Sequence, residues 1–220
     1  MTIGVTIAGK HSLKDLGMYL TEADIGFPEV RTNYVDVPGR DGQLDLSTSL
    51  DGEIHYQNRT IALTLVSTAN LSGLSWPEFL SRLASLLHGQ KVTLAFDGDS
   101  GWYYSGRGSI SGYAMESSRW TVQLEFTCDP WRYKTALTEV TTTVTSNDTE
   151  LTLSCDRRPV VPTITVSAET VLSWGEDTHT INAGSHRIPG IRLTQGTHTL
   201  KARTTAGTGT ITVSYQEGSL

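Results

Sequence analysis

The sequence predicts a mainly β protein in two domains, with a single packed helix in the first. Three observations carry this. Runs of alternating apolar and polar residues, the period of two that marks strands, recur along the whole chain, as in Ile61, Leu63 and Leu65. One stretch, Trp76–His88, shows helical spacing instead. From Thr135 onward the composition shifts to 21 Thr in 86 residues, with short runs punctuated by Gly, Asn or Asp, the signature of a β-sandwich. The boundary falls at Pro130 to Lys134, dividing the chain into residues 1–133 and 134–220.

The first domain opens with a strand at Thr2–Ile7 and a helical turn at Ser12–Leu16, after which Tyr19–Phe27 leads through Pro28 into the most informative stretch, Arg31 to Val66. Val35 and Val37 share one face of an extended run, and Tyr34 and Asp36 the other. After Pro38-Gly39-Arg40-Asp41-Gly42, Leu44 and Leu46 alternate with Gln43, Asp45 and Ser47. Pro38 cannot donate to a ladder, and Gly39 and Gly42 tolerate positive φ, so the five residues make a turn. The stretch is therefore a long hairpin, with a second glycine turn at Asp51-Gly52 and a returning strand through Ile54–Val66. Two strands alone expose unpaired edges and have no core. The same chain or a neighbouring copy must cover them.

The helix has a capping box, Ser75 with Glu78, and Pro77 in its first turn, where a missing N–H costs nothing. Phe79, Leu80, Leu83, Leu86 and Leu87 form its apolar side, and Gly89 stops it. Strands follow at Lys91–Phe96, Trp102–Ser105, Gly108–Met115 and Trp120–Phe126. Trp102, Tyr103 and Tyr104 cannot all face one core, so one side of that strand points to a second sheet or a subunit. The second domain has strands at Val140–Thr145, Thr163–Ser167, Thr178–Asn182, Ile188–Leu193, Thr197–Arg203 and Thr210–Tyr215.

Charge and motifs narrow the function. The net charge is −6, and residues up to Pro130 hold 9 Lys and Arg against 15 Asp and Glu, while the rest hold 8 against 8. An acidic first domain argues against static nucleic-acid binding. No apolar run reaches the roughly 20 residues of a membrane helix, and the first residues lack a signal-peptide pattern, so synthesis in the cytoplasm is expected. In that setting Cys128 and Cys155 read as plain thiols, and the sequons at Asn58, Asn70 and Asn147 carry no meaning. There is no G-x-S-x-G, H-E-x-x-H, Walker or G-x-G-x-x-G signature. The six histidines are scattered, and Asp97-Gly98-Asp99 makes a hairpin turn rather than a calcium loop. No catalytic, cofactor or metal site is expected.

The words VPGRDGQLDLS, then a glycine, then YQNRTIALTL resemble the first domain of distal tail proteins of long-tailed, non-contractile phages. Cys128-Asp129-Pro130-Trp131-Arg132-Tyr133 resembles their passage into a second domain. The resemblance implies a tail-tube-like β-barrel or sandwich followed by a galectin-like β-sandwich. It implies a hexameric ring at the end of the tail tube, around a channel through which DNA passes without specific binding. Neighbours would be the tail tube protein, a tail tip protein and receptor-binding proteins, in the virion. It places subunit contacts on the hairpin and its return, at Val35, Val37, Arg40, Asp41, Leu44, Leu46, Tyr56 and Arg59. A rival class, a carbohydrate-binding module, would use Trp174 or Tyr215 of the second domain.

Overall fold

The computed structural model describes residues 4–67, 73–116 and 119–220. Thr2 and Ile3 of the expected first strand and the Asn70 sequon lie outside them. Two compact units emerge, Met1–Arg132 with Leu220, and Tyr133–Ser219.

In the first unit, β1 (Val5–Ile7), β2 (Lys10–His11), β3 (Met18–Ile25), β6 (Arg59–Ser67), β7 (Lys91–Phe96), β8 (Trp102–Glu116) and β9 (Arg119–Lys134) form one sheet, ordered β2-β1-β7-β8-β9-β6-β3. A separate two-stranded sheet pairs β4 (Tyr34–Asp36) with β5 (Gln43–Asp45). The alternation in β6 and β9 sets their register. Ile61 lies opposite Phe126, Leu63 opposite Leu124 and Leu65 opposite Val122, so each apolar side chain meets another on the same buried face. Helix α1 (Trp76–Leu87) covers that core with Phe79, Leu83 and Leu87. Its start is the expected capping box, in which the Ser75 N–H donates to Glu78 Oε2 at 3.1 Å. It ends one residue before the expected His88, whose N–H still reaches the Ala84 carbonyl.

Three expectations need correction. Tyr19–Phe27 leads into the hairpin, but most of it is a strand to which the sequence assigned no element: β3 pairs with β6 along its length, with a bulge between Leu20 and Glu22. The bulge shifts which residues lie opposite the inward side chains of β6, from Leu20 against Leu65 to Ala23 against Leu63 and Ile25 against Ile61, which erases the period of two. Second, β8 runs unbroken through Gly106 and Gly108. A Cβ on Gly106 would stand 2.7 Å from Cys128 Cα, and one on Gly108 2.7 Å from the Phe126 ring. These glycines permit close approach of strands rather than a turn. Third, the Arg31–Val66 hairpin has only three ladder pairs, Tyr34 with Asp45, Val35 with Leu44 and Asp36 with Gln43, and its return strand begins at Arg59.

The second unit packs two four-stranded sheets about one core. The first sheet orders β10 (Thr138–Thr145), β17 (Thr208–Tyr215), β12 (Thr163–Val166) and β15 (Gly184–His186). The other orders β11 (Thr149–Cys155), β16 (Gly196–Thr204), β13 (Thr170–Trp174) and β14 (Asp177–Ile181). Val144, Ile164, Ile211 and Val213 of one sheet face Leu151, Leu153, Leu172 and Leu200 of the other. The outer positions carry hydroxyls, as where Thr141 and Thr212 hydrogen-bond at 2.9 Å. The sequence missed β11, β13 and β15, the last of which ends at His186. Ile188–Leu193 is not a strand. Its Ile191 and Leu193 are buried nonetheless, held by the pairing of Val160 with Leu193.

The first and last residues of this unit lie side by side. The Lys134 N–H donates to the Glu217 carbonyl at 3.1 Å, and the Arg158 N–H to that of Gly218 at 3.0 Å. Glu217 is buried, yet Lys134 Nζ lies 2.9 Å from its Oε2 and the Thr138 hydroxyl donates to its Oε1. Burial raises the Glu217 pKa, but the Thr138 and Lys134 hydrogen bonds outweigh it and hold the carboxyl below its usual range.

Candidate functional site

Between Phe27 and Asn58 only Pro28 is buried. The segment is an arm with no core of its own. Its two sides are joined by backbone bonds from Gln57 N–H to Glu29 O, Arg31 N–H to His55 O and Leu46 N–H to Asn33 O, and then by the β4–β5 ladder. A loop, Ser47–Glu53, stands out from this ribbon, and Gly52 within it takes φ 77°. From Glu29 to Val37 the ribbon spans at most about 30 Å.

The arm's tip is the expected turn. Gly39 and Gly42 take φ of 81° and 71°, and the Arg40 N–H bonds the Val37 carbonyl at 3.2 Å. Arg40 and Asp41 are exposed at its end. Its root is Tyr56, whose ring meets Trp131 edge-on at 5.3 Å.

The register divides the ribbon into two unlike faces. Val35 lies opposite Leu44, which places Val35, Val37, Leu44 and Leu46 on one aliphatic side. Tyr34, Asp36, Gln43 and Asp45 take the other, where Gln43 Nε2 donates to Asp36 Oδ1 at 3.1 Å. Hydrogen bonds from the Ser47 side chain and backbone hold the Asp45 carboxyl below its ordinary range. Val35 remains 40% exposed and Val37 38%. Phe27 and Leu50, which sequence reasoning passed over, are 82% and 90% exposed. Both sit outside any ladder, beside Gly26 and the Asp51-Gly52 turn, where no periodicity marks them. An apolar face of this kind on a ribbon without a core is a surface built to be covered.

Two expected contact residues are placed elsewhere. Arg59 is 3% exposed, inside the chain's own core rather than on its surface. As the first residue of β6 it stands opposite Cys128, lays its guanidinium over the Tyr104 ring at 5.3 Å and donates from Nη2 to the Pro130 carbonyl. Its Nε has no partner, and burial lowers its pKa. Tyr215, the expected sugar contact, is 3% exposed, and its hydroxyl donates to the Ser154 carbonyl at 2.6 Å. A ring closed off by its own sandwich cannot stack on a glycan. Trp174 is half-buried, packed on the same core with its ring 5.5 Å from His198.

Burial pushes the Cys128 thiol up to about 12 and that of Cys155 to about 11. Among the described residues no group of three or more His, Cys, Asp or Glu is arranged to hold a metal ion.

Neither a family model nor a curated protein matches the chain. Among solved structures it is similar to SPP1 Dit, described as a paradigm of the hub adsorption apparatus in phages infecting Gram-positive bacteria. The two share 19% identity over 100% of both chains, with a TM-score of 0.70. From end to end, the chain has the fold of that phage hub protein.

Proposed function

We propose that the chain is a structural subunit of a phage tail, a distal hub whose copies assemble into a ring. Full-length likeness to SPP1 Dit supports the hub reading. The observation that carries assembly is the arm, which presents exposed Val35 and Val37 beside half-buried Leu44 and Leu46 on a ribbon with no core of its own. A closed ring of identical copies covers such a face on every subunit at once, leaving no open edge.

In this reading six copies encircle a channel joining the tail tube protein to a tail tip protein. DNA passes through without specific binding, as the acidic first 130 residues favour. The first unit builds the tail-tube-like ring. The second, a galectin-like sandwich, stands outside it as a dock for receptor-binding proteins. The protein is made in the host cytoplasm and resides in the virion. Mass measurement of the purified full chain, with electron microscopy of the same sample, tests this. A ring of six copies is expected, and a protein that stays monomeric at all concentrations refutes it.

A further inference from the structure

Three Asp-Gly pairs occur in the chain, Asp41-Gly42, Asp51-Gly52 and Asp97-Gly98. In such a pair the second residue has no Cβ, so its backbone nitrogen can swing close to the carboxyl carbon of the first. Whether the two meet depends on what else holds them. At two of the three pairs the fold does so. Asp51 Oδ1 accepts the Glu53 N–H at 3.0 Å and pairs with His55 Nε2 at 3.1 Å, while the Gly52 N–H donates to the Thr48 carbonyl at 2.8 Å. Asp97 Oδ2 accepts the Gly4 N–H at 3.0 Å and pairs with His11 Nε2 at 3.1 Å. The His11 bond also holds the Asp97 carboxyl below its ordinary range, so little of it is in the acid form.

The pair at the arm's tip differs. Asp41 and Gly42 are both exposed, and the Asp41 carboxyl has no hydrogen-bond or ion-pair partner among the described residues. The space where a Gly42 Cβ would stand is empty to 4 Å, and the arm has no core to stiffen the turn. The geometry points to Asp41-Gly42 as a site of spontaneous modification, where the main chain moves from the α- to the β-carboxyl of Asp41. The Gly42 nitrogen attacks Cγ of the protonated carboxyl. A C–N bond forms, a C–O bond breaks, and the hydroxyl leaves as water with the proton the nitrogen gives up. Water then opens the cyclic imide at its main-chain carbonyl, so the chain continues through Cγ and the α-carboxyl becomes the side group. No electrons are transferred, and the mass is unchanged. The product link is one carbon longer, inside the turn that sets the pairing of Asp36 with Gln43, so that register is lost.

Ageing in heavy water tests the site. Full-length protein, diluted below any assembly that light scattering detects, is held in mildly acidic buffer made with oxygen-18 water. Opening of the imide writes one heavy oxygen into the residue, and electron-transfer fragmentation of the digested peptides tells the two linkages apart. Conversion at Asp41 is expected to run about tenfold or more ahead of Asp51 and Asp97, whose hydrogen bonds must first break. In the same chain held unfolded in urea, the three pairs are expected to convert at like rates. Asp41→Glu, which would need a larger ring, is expected to abolish conversion at that position and leave the other two pairs unchanged. Equal conversion of all three in the folded protein overturns the inference. So does the absence of conversion at Asp41 within the time the unfolded chain takes.

Discussion

Removing the arm's aliphatic character tests whether it acts in assembly rather than in folding. Val35→Ser with Val37→Ser leaves the ladder hydrogen bonds intact, because those are backbone groups. Complete burial of a valine is worth about 1.5–3 kcal/mol. With 40% and 38% of these side chains still exposed, covering the remainder is worth about 0.6–1.2 kcal/mol for each. The pair therefore contributes about 1.2–2.4 kcal/mol to one contact, a weakening of roughly 8- to 60-fold. In a ring each copy donates one such contact and receives another, so closure amplifies the loss. The body's core contains neither residue, and the main melting transition is expected to stay within about 2 °C of wild type. Light scattering over a concentration series reads the first effect and calorimetry the second. Wild-type assembly by the double variant refutes the argument, as does a fall in melting temperature large enough to account for lost assembly.

Five further outcomes follow from other parts of the molecule. Arg59→Ala forfeits a charged hydrogen bond and a cation–π contact and is expected to cost about 2–4 kcal/mol in denaturant unfolding, with assembly per folded molecule unchanged. Arg59→Met, which removes the buried charge but keeps the bulk, is expected within about 1 kcal/mol of wild type by the same measurement. Gly106→Ala drives a Cβ against the Cys128 and Thr127 backbone and is expected to destabilise the first unit by about 1–3 kcal/mol in thermal melts. The Glu217 carboxyl has a folded pKa below its unfolded one, so its stabilisation is present above the unfolded value and lost as pH falls through the folded one. Melting curves below about pH 4.5 are expected to lose less stability in Glu217→Gln than in wild type. Full-length protein in a mobility-shift assay at low salt is expected not to retain duplex DNA, and tight, salt-sensitive binding would contradict the channel reading.

What was legible in the sequence was whatever kept an unbroken period. Lys91–Phe96 alternates without interruption and is a strand over those same residues. The helix declared itself through Ser75, Pro77 and Glu78 because capping chemistry is local. β3 stayed hidden because one bulged residue reverses which positions face inward. β8 was divided because a glycine needed for close packing looks, in one dimension, like a glycine needed for a turn. Within the arm, alternation alone grouped Val35 with Val37 and Leu44 with Leu46, and the register, Val35 opposite Leu44, puts the two pairs on one face. The exposure of Phe27 and Leu50 could not be read, since nothing local distinguishes an apolar side chain in a core from one awaiting a neighbour. Arg59 failed for the opposite reason: a charge is read as surface unless its acceptor is visible, and Pro130 is 71 residues away.

The side-by-side ends of the second unit have a genetic consequence. Lys134, at the end of β9, and Glu217, two residues past β17, leave the second unit as neighbours, a stem about 5 Å wide. Whatever lies between them is a closed excursion of the chain, and its length does not enter the geometry at the stem. Recombination that swaps the residues between these two points for another module with adjoining ends leaves the reading of the first 132 residues untouched. The molecule thus carries a cassette site, where one lineage can exchange the second unit while the first descends unchanged.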